Sequence, residues 1–172
     1  MPEDAFDMHF YDLLGAKKIH EARAHLNARA ERGQEDVVSF ARRFASLLRV
    51  EGKELEAVAT LTKVIDAGQD RTRSCQLSRA NLYFNLGDMV KAEEDYLAVL
   101  ADQHWILRRS FHSFAAFRIA WIRALRGDPS YRSFLDEYPD EKEGFVGDRI
   151  ATRADVDAMY EQRKAQTSRK VD

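Results

Sequence analysis

The sequence predicts an all-α protein assembled as a short stack of helical hairpins. Three observations predict it. The 172 residues contain only 3 Pro and 8 Gly, which leaves room for long uninterrupted helices. Apolar residues recur at spacings of three and four, as on the buried face of a helix. The third is a period. Ala22, Ala57 and Ala92 stand 35 residues apart, Leu26, Leu61 and Tyr96 follow each of them by four, and Gly52 and Gly87 share the interval. A fixed period of this length is the mark of a repeated supersecondary unit that buries its core by stacking on its neighbours.

The elements follow in order. Residues from about Pro2 to Leu14 form an acidic opening helix, placed as a cap. After Gly15 a helix runs to about Arg32, where Gly33 stops it. Glu35 to Val50 and Glu54 to Ala67 form the next pair, with Phe40, Phe44, Leu47 and Leu48 as the apolar stripe ahead of Gly52. Arg71 to Leu86 and Asp88 to Ala101 form the following hairpin, with Leu77, Ala80, Leu82, Tyr83 and Leu86 ahead of Gly87. Each glycine supplies the left-handed backbone that ends a helix. Each small alanine lets a neighbouring helix approach, and the bulky residue one turn later fills the space between helices.

A helix from about Ser110 to Arg126 ends at Gly127-Asp128-Pro129, because a residue before proline is biased away from helix. Ser130 to Tyr138 is its short partner. This last hairpin is irregular: Gly87 to Gly127 spans 40 residues, and the extra length falls in Asp102 to Phe111, around Trp105, Arg108 and Arg109. Asp140 to Gly147 reads as an acidic linker. Thr152 with Asp155 three residues on reads as a helix start, and a helix from about Arg153 to Ala165 precedes a polar tail. The expected organisation is thus a helical-repeat domain over 1–139, with linker, last helix and tail over 140–172 packed on it or extending it.

Composition narrows function by exclusion. The 27 basic and 29 acidic residues leave a net charge of −2, with no electrostatic case for nucleic acid. No stretch approaches the roughly 18 apolar residues of a membrane helix, and the acidic start lacks the pattern of a secretory signal. Cys75 is the single cysteine, so a reducing, cytoplasmic setting is expected. His20 and His25 are five apart and diverge around a helix, where metal-binding pairs sit four apart. Glu93, Glu94 and Asp95 point in different directions and read as a solvated face rather than a catalytic pair. No phosphate loop or nucleophile elbow occurs. No metal, no cofactor and no catalytic residue is expected, and the chain reads as a binding protein rather than an enzyme.

The stretch Arg79 to Tyr96, with Ala80, Tyr83, Gly87, Asp88, Ala92 and Tyr96 in register, strongly resembles a tetratricopeptide repeat. Ala45, Leu48, Gly52, Ala57 and Leu61 look like a diverged second copy, and Ala120 and Gly127 hint at a third. The resemblance covers about Glu35 to Tyr138. It implies a right-handed superhelix of about three such hairpins, degenerate at both ends, whose first helices line a concave groove. Carried over by alignment, that groove would present Arg42, Arg43, Ser46 and Arg49 as a basic rim, Ser78, Asn81 and Asn85 as an amide-rich middle, and Phe117, Arg118 and Trp121 as an aromatic wall. Such a surface suits another protein or a peptide, acidic with an apolar anchor, as in an adaptor or co-chaperone. The alternative is an inhibitor or immunity-type protein that neutralises a toxin or enzyme, using a convex face or a second surface at Trp105, Arg108 and Arg109. Homodimerisation through Phe6, Phe10 and Tyr11, or through the last helix, stays open.

Overall fold

A computed structural model describes residues 3–102, 109–137, 143–146 and 149–168. The described residues are almost wholly helical: α1 (Glu3–Gly15), α2 (Ile19–Glu31), α3 (Val37–Val50), α4 (Glu54–Asp66), α5 (Ser74–Asn85), α6 (Met89–Leu100), α7 (Arg109–Arg126), α8 (Tyr131–Glu137) and α9 (Arg153–Ser168), with one short ribbon, β1 (Glu143–Val146) and β2 (Arg149–Thr152). No helix among them is long and apolar enough to cross a membrane. The chain divides into two compact units, Met1–Leu86 and Gly87–Asp172.

In the first unit the helices pack in chain order, α1 on α2, α2 on α3, α3 on α4 and α4 on α5, while α3 also meets α5. The stops between them are built alike. At Gly33 the amide donates to the Ala30 carbonyl and the next amide, Gln34, donates to Arg29. Gly52 and Lys53 repeat this on Arg49 and Leu48, and Gly68 and Gln69 on Ile65 and Val64. Each pair of bonds satisfies carbonyls that a helix end leaves open, and each needs a left-handed residue at its pivot. The glycines supply it, with φ of 65°, 75° and 67°. Gly33 and Gly68 are themselves 35 residues apart, so the turns between hairpins keep the same period as the turns within them.

The first hairpin departs from the expected stop. Gly15 is the last residue of α1 and has no left-handed backbone. The pivot is Lys17, at φ 58°, whose amide donates to Leu14 while Lys18 donates to Leu13. Lys17 lies 35 residues before Gly52, so the period holds while the residue type does not. A side chain in this region is strained by its own Cβ.

Ala22, Leu26, Ala57 and Leu61 are all fully buried, as the small-then-large pattern requires. They belong to two apolar clusters. One gathers Phe6, Phe10, Leu13, Leu14, Ala22, Leu26 and Leu47. The other gathers Ala41, Ala45, Leu48, Ala57, Leu61, Val64, Cys75 and Leu82, and Phe44 packs against both. Phe6 and Phe10 are thus core, and of the three aromatics considered for self-association only Tyr11 is exposed.

The amino end of α3 is set by Asp36, whose carboxylate accepts from the Val38 and Ser39 amides at 2.9 and 3.0 Å. Burial alone would raise its pKa, but the side-chain hydrogen bond of Ser39 and the two backbone amides together hold it below the ordinary 3.8.

In the second unit α7 is the centre, with α6, α8 and α9 packed on it and β1 against its side. Tyr96, Val99, Ala115, Ala116, Ile119, Ala120, Ile122, Ala124, Tyr131, Leu135 and Val156 form its buried set. The Glu93–Asp95 run is not a solvated face. Only Glu94 is exposed; Glu93 is buried and accepts from Arg123 at 2.7 Å and from Arg126, and Asp95 is buried too. Gly127 at φ 73° ends α7, and the Asp128 carboxylate accepts from the Ser130 amide at 2.9 Å. The start of α9 is a reciprocal box: the Thr152 amide donates to Asp155 at 2.7 Å, and the Asp155 amide donates to the Thr152 hydroxyl at 3.3 Å.

The segment read as a linker contains β1, which pairs antiparallel with β2, Glu143 opposite Thr152 and Val146 opposite Arg149. The extra length near Trp105 and Arg108 lies outside the described residues.

Two outcomes test these stops. Lys17→Gly should raise stability by about 0.5–1 kcal/mol, because relief of the left-handed strain exceeds the added entropy of the unfolded chain; Gly52→Lys should lower it by about 1 kcal/mol or more. Chemical denaturation midpoints of both variants measure this, and a destabilised Lys17→Gly variant would refute the strain at that pivot. Asp36→Ala should cost about 1 kcal/mol at pH 7. A depressed carboxyl pKa gives stabilisation that is full above 3.8 and is lost as pH falls through the lower, folded value. The difference between wild type and Asp36→Ala should therefore shrink only in strong acid.

Candidate functional site

A helix presents one face at spacings of three and four. On α3, Arg42, Ser46 and Arg49 have that spacing; on α5, Ser78, Asn81 and Asn85 have it too. Because α3 and α5 meet, these two faces come together, and the six side chains line one cleft of about 120 Å³. Its floor is apolar: Ala45, Leu61 and Leu82, all buried in the second cluster. Leu61 is the large member of the alanine–leucine pair on α4. The repeat's core residue is therefore also the bottom of the cleft.

The walls differ in chemistry. Arg42 and Arg49 carry the cationic groups, and no acidic side chain lines the cleft. The Nε of Arg42 is buried and has no hydrogen-bond partner among the described residues. A buried donor left unpaired costs stability, which an incoming acceptor would recover. Both serines bond back to their own helices: the Ser46 hydroxyl donates to the Arg42 carbonyl at 3.0 Å, and the Ser78 hydroxyl to the Ser74 carbonyl at 2.9 Å. With its proton committed inward, each hydroxyl turns lone pairs outward as an acceptor. Asn81 and Asn85 offer both donor and acceptor. The cleft thus combines guanidinium donors, hydroxyl acceptors and amides over an apolar floor.

The other residues expected in the groove are placed elsewhere. Arg43 follows Arg42 by one position and so points about 100° away around the helix. It is buried, it pairs with Glu35, and its Nε donates to Asp7 at 2.7 Å. Its guanidinium also lies over the Phe6 ring, 5.1 Å from the centroid. Arg43 ties α1 to α3 and does not reach the cleft. Phe117, Arg118 and Trp121 are on α7 in the second unit, and all three are buried. Arg118 stacks over Phe114 at 5.0 Å, and burial lowers its pKa. These three do not present the exposed aromatic wall that the alignment implied. Trp105 and Arg108 lie outside the described residues, and Arg109 is the first residue of α7.

Cys75, at the start of α5, has no exposed surface. Burial, reinforced by Asp70, pushes its thiol up to about 12 against the pull of Arg42. It is a core side chain with a weak contact from Sγ to the Val38 carbonyl. Among the described residues no three His, Cys, Asp or Glu side chains gather as a metal site would need.

No family model, no curated protein and no solved structure significantly matches this chain.

A thiolate is the reactive species, so the raised pKa predicts an inert Cys75. A colourless disulfide reagent at pH 8 should release no thiolate colour from the folded protein and one equivalent after denaturation. Prompt reaction in the folded state would show α5 to be loosely packed.

Proposed function

We propose that this protein is a tetratricopeptide-type interaction module that binds an acidic peptide segment of another protein in the cleft between α3 and α5. The observation that carries the reading is the convergence of Arg42, Ser46 and Arg49 with Ser78, Asn81 and Asn85 over one apolar floor. The 35-residue interval of helix stops and of fully buried alanine–large pairs supports the repeat type.

The chemistry suits a peptide more than a small polar metabolite. An extended chain presents amides and carbonyls in alternation, and the cleft alternates hydroxyl acceptors with amide and guanidinium donors. Carboxylate side chains pair with the forked guanidinium groups, while an apolar side chain can cover Ala45, Leu61 and Leu82. Binding, not catalysis, is the expected role, since neither an acid–base pair nor an activated nucleophile lines the cleft. Nucleic acid and membrane are not part of this reading.

The test is fluorescence anisotropy with a panel of labelled acidic, neutral and basic peptides that carry one apolar residue. Acidic peptides should bind in preference to basic ones, and added salt should weaken them. Arg42→Glu/Arg49→Glu should weaken binding by about tenfold or more, since two charge-assisted contacts become repulsions. Lys53→Glu, an exposed change off the cleft, should leave it unaltered. Equal affinity for wild type and the double variant, with both folded by circular dichroism, would remove the cleft as the site.

A further inference from the structure

A second concavity in the first unit, remote in sequence from the cleft residues, has a different composition. Phe6 of α1, His25, Arg29 and the α2 C-cap residue Arg32, and Gln34 in the following turn line a recess of about 120 Å³. Every polar side chain among them can donate a hydrogen bond, and none is acidic. The buried Phe6 ring is the floor, stacked on His25 at 4.6 Å and on the Arg29 guanidinium at 4.3 Å. Those contacts fix the directions of the imidazole and the guanidinium.

The charges around the recess can be counted. Arg29 donates through Nε to Glu35 at 2.8 Å, Glu35 also pairs with Arg43, and Arg43 pairs with Asp7. Two guanidinium groups and two carboxylates cancel. Arg32 remains, exposed and in no ion pair among the described residues, so among those residues it is a positive charge outside this network, before His25 is considered. The helix end beneath it adds little opposing field, since the Arg29 and Ala30 carbonyls are already taken by the Gln34 and Gly33 amides. Finally, the Nε2 of His25 is buried and has no hydrogen-bond partner among the described residues.

We propose that this recess binds a phosphate-sized oxyanion, held by Arg32, the side-chain amide of Gln34, the outer N–H groups of Arg29 and the Nε2–H of His25. The ligand class is a tetrahedral dianion, either the free ion or the phosphoryl end of a small phosphomonoester.

The dianion and His25 are linked through a proton. Without a ligand, burial and the neighbouring charges of His9, Arg32 and Arg29 hold His25 below the ordinary imidazole value. Among the described residues the charged groups acting on His25 are His9 from α1 and Arg32 and Arg29 from its own helix and its cap, while Glu35, Arg43 and Asp7 reach it only through the ion pairs that begin at Arg29. A bound dianion reverses the local field, so His25 takes up a proton and becomes a second cation. Arg32 and protonated His25 then match the two charges of the ligand. Affinity should therefore rise as pH falls through the His25 pKa.

The experiment uses the full chain, with His25 imidazole resonances followed by NMR during titration with sodium sulfate, a dianion at every pH used, against sodium chloride at equal ionic strength. Sulfate should move the His25 resonances saturably and raise the His25 pKa, with tighter binding at lower pH. Arg32→Gln should weaken sulfate by about tenfold for one lost charge-assisted contact, with circular dichroism unchanged. His25→Gln keeps a side-chain donor and should bind sulfate with no pH dependence between pH 5.5 and 8. Parallel titrations with inorganic phosphate and O-phosphoserine separate the two sources: the ester binding more tightly assigns the site to phosphomonoesters, the free ion binding more tightly to phosphate. His25 resonances that follow sulfate no more than chloride, or an Arg32→Gln affinity equal to wild type, would overturn the site.

Discussion

The left-handed stop at the end of each helix is the constraint on which the first unit depends. A pivot at Lys17, Gly33, Gly52 and Gly68 ends each helix with carbonyls of its last turn already satisfied, and the chain enters the next helix after three residues at Lys17 and Gly52, five at Gly33 and seven at Gly68. Because the pivots within hairpins and those between hairpins each recur at the same interval, every second helix begins at an equivalent phase. Ala22 and Ala57 then fall at the same place on α2 and α4, and Leu26 and Leu61 one turn beyond. Their complete burial follows from phase as much as from hydrophobicity. A shift of one residue at a stop would rotate the next helix by about 100° and carry the alanine out of the contact.

Phase also explains how α3 serves three surroundings at once. Ala41, Ala45 and Leu48 enter one apolar cluster and Leu47 the other. Arg43 faces α1, and Arg42, Ser46 and Arg49 face the cleft. Two adjacent arginines therefore have opposite fates. Arg43 gives up water for Glu35, Asp7 and the Phe6 ring, whereas Arg42 keeps a buried Nε that no described residue satisfies. A buried ion network of this kind contributes little net stability against an apolar alternative, but it fixes α1 on α3 in one orientation, and with α1 the floor of the anion recess.

These origins set what could be read from sequence. The helix order and the buried alanine–large pairs were legible, because they rest on local spacing. The grouping of six of the ten expected groove residues was legible too, since i, i+3 and i+4 spacing places three on one face of α3 and three on one face of α5, and only the approach of the two helices had to be supplied. Arg43 was not legible, because Asp7 lies 36 positions away and an arginine pair looks alike whichever member is inward. Phe117, Arg118 and Trp121 failed for a related reason: helical spacing gives a face, but not which face is covered. The β1–β2 ribbon did leave a signal, Phe145-Val146 and Ile150 on either side of Gly147-Asp148, which the surrounding acidic residues obscured. The recess at His25 left almost none. It depends on a ring from α1, two arginines and a histidine of α2 at spacings of three and four, and an amide past the helix stop.

The two concavities differ in a way that makes their ligands separable. Every cation of the α3–α5 cleft is an arginine, which keeps its charge across the accessible pH range, and its remaining polar groups are neutral. Its attraction for carboxylates varies with salt, and with pH only through the ligand. The recess contains an imidazole that burial and the neighbouring His9, Arg32 and Arg29 charges hold below its ordinary value, so binding of a dianion there is linked to uptake of a proton. A ligand of the cleft cannot substitute for one of the recess, because an extended peptide needs acceptors for its amides and the recess has only the Gln34 carbonyl to offer. The two proposed sites thus differ in the hydroxyl acceptors that only the cleft presents, and the two faces of α3 serve different ends, since Arg42 lines the cleft while Arg43, the next residue, joins the ion pairs that lead to Arg29.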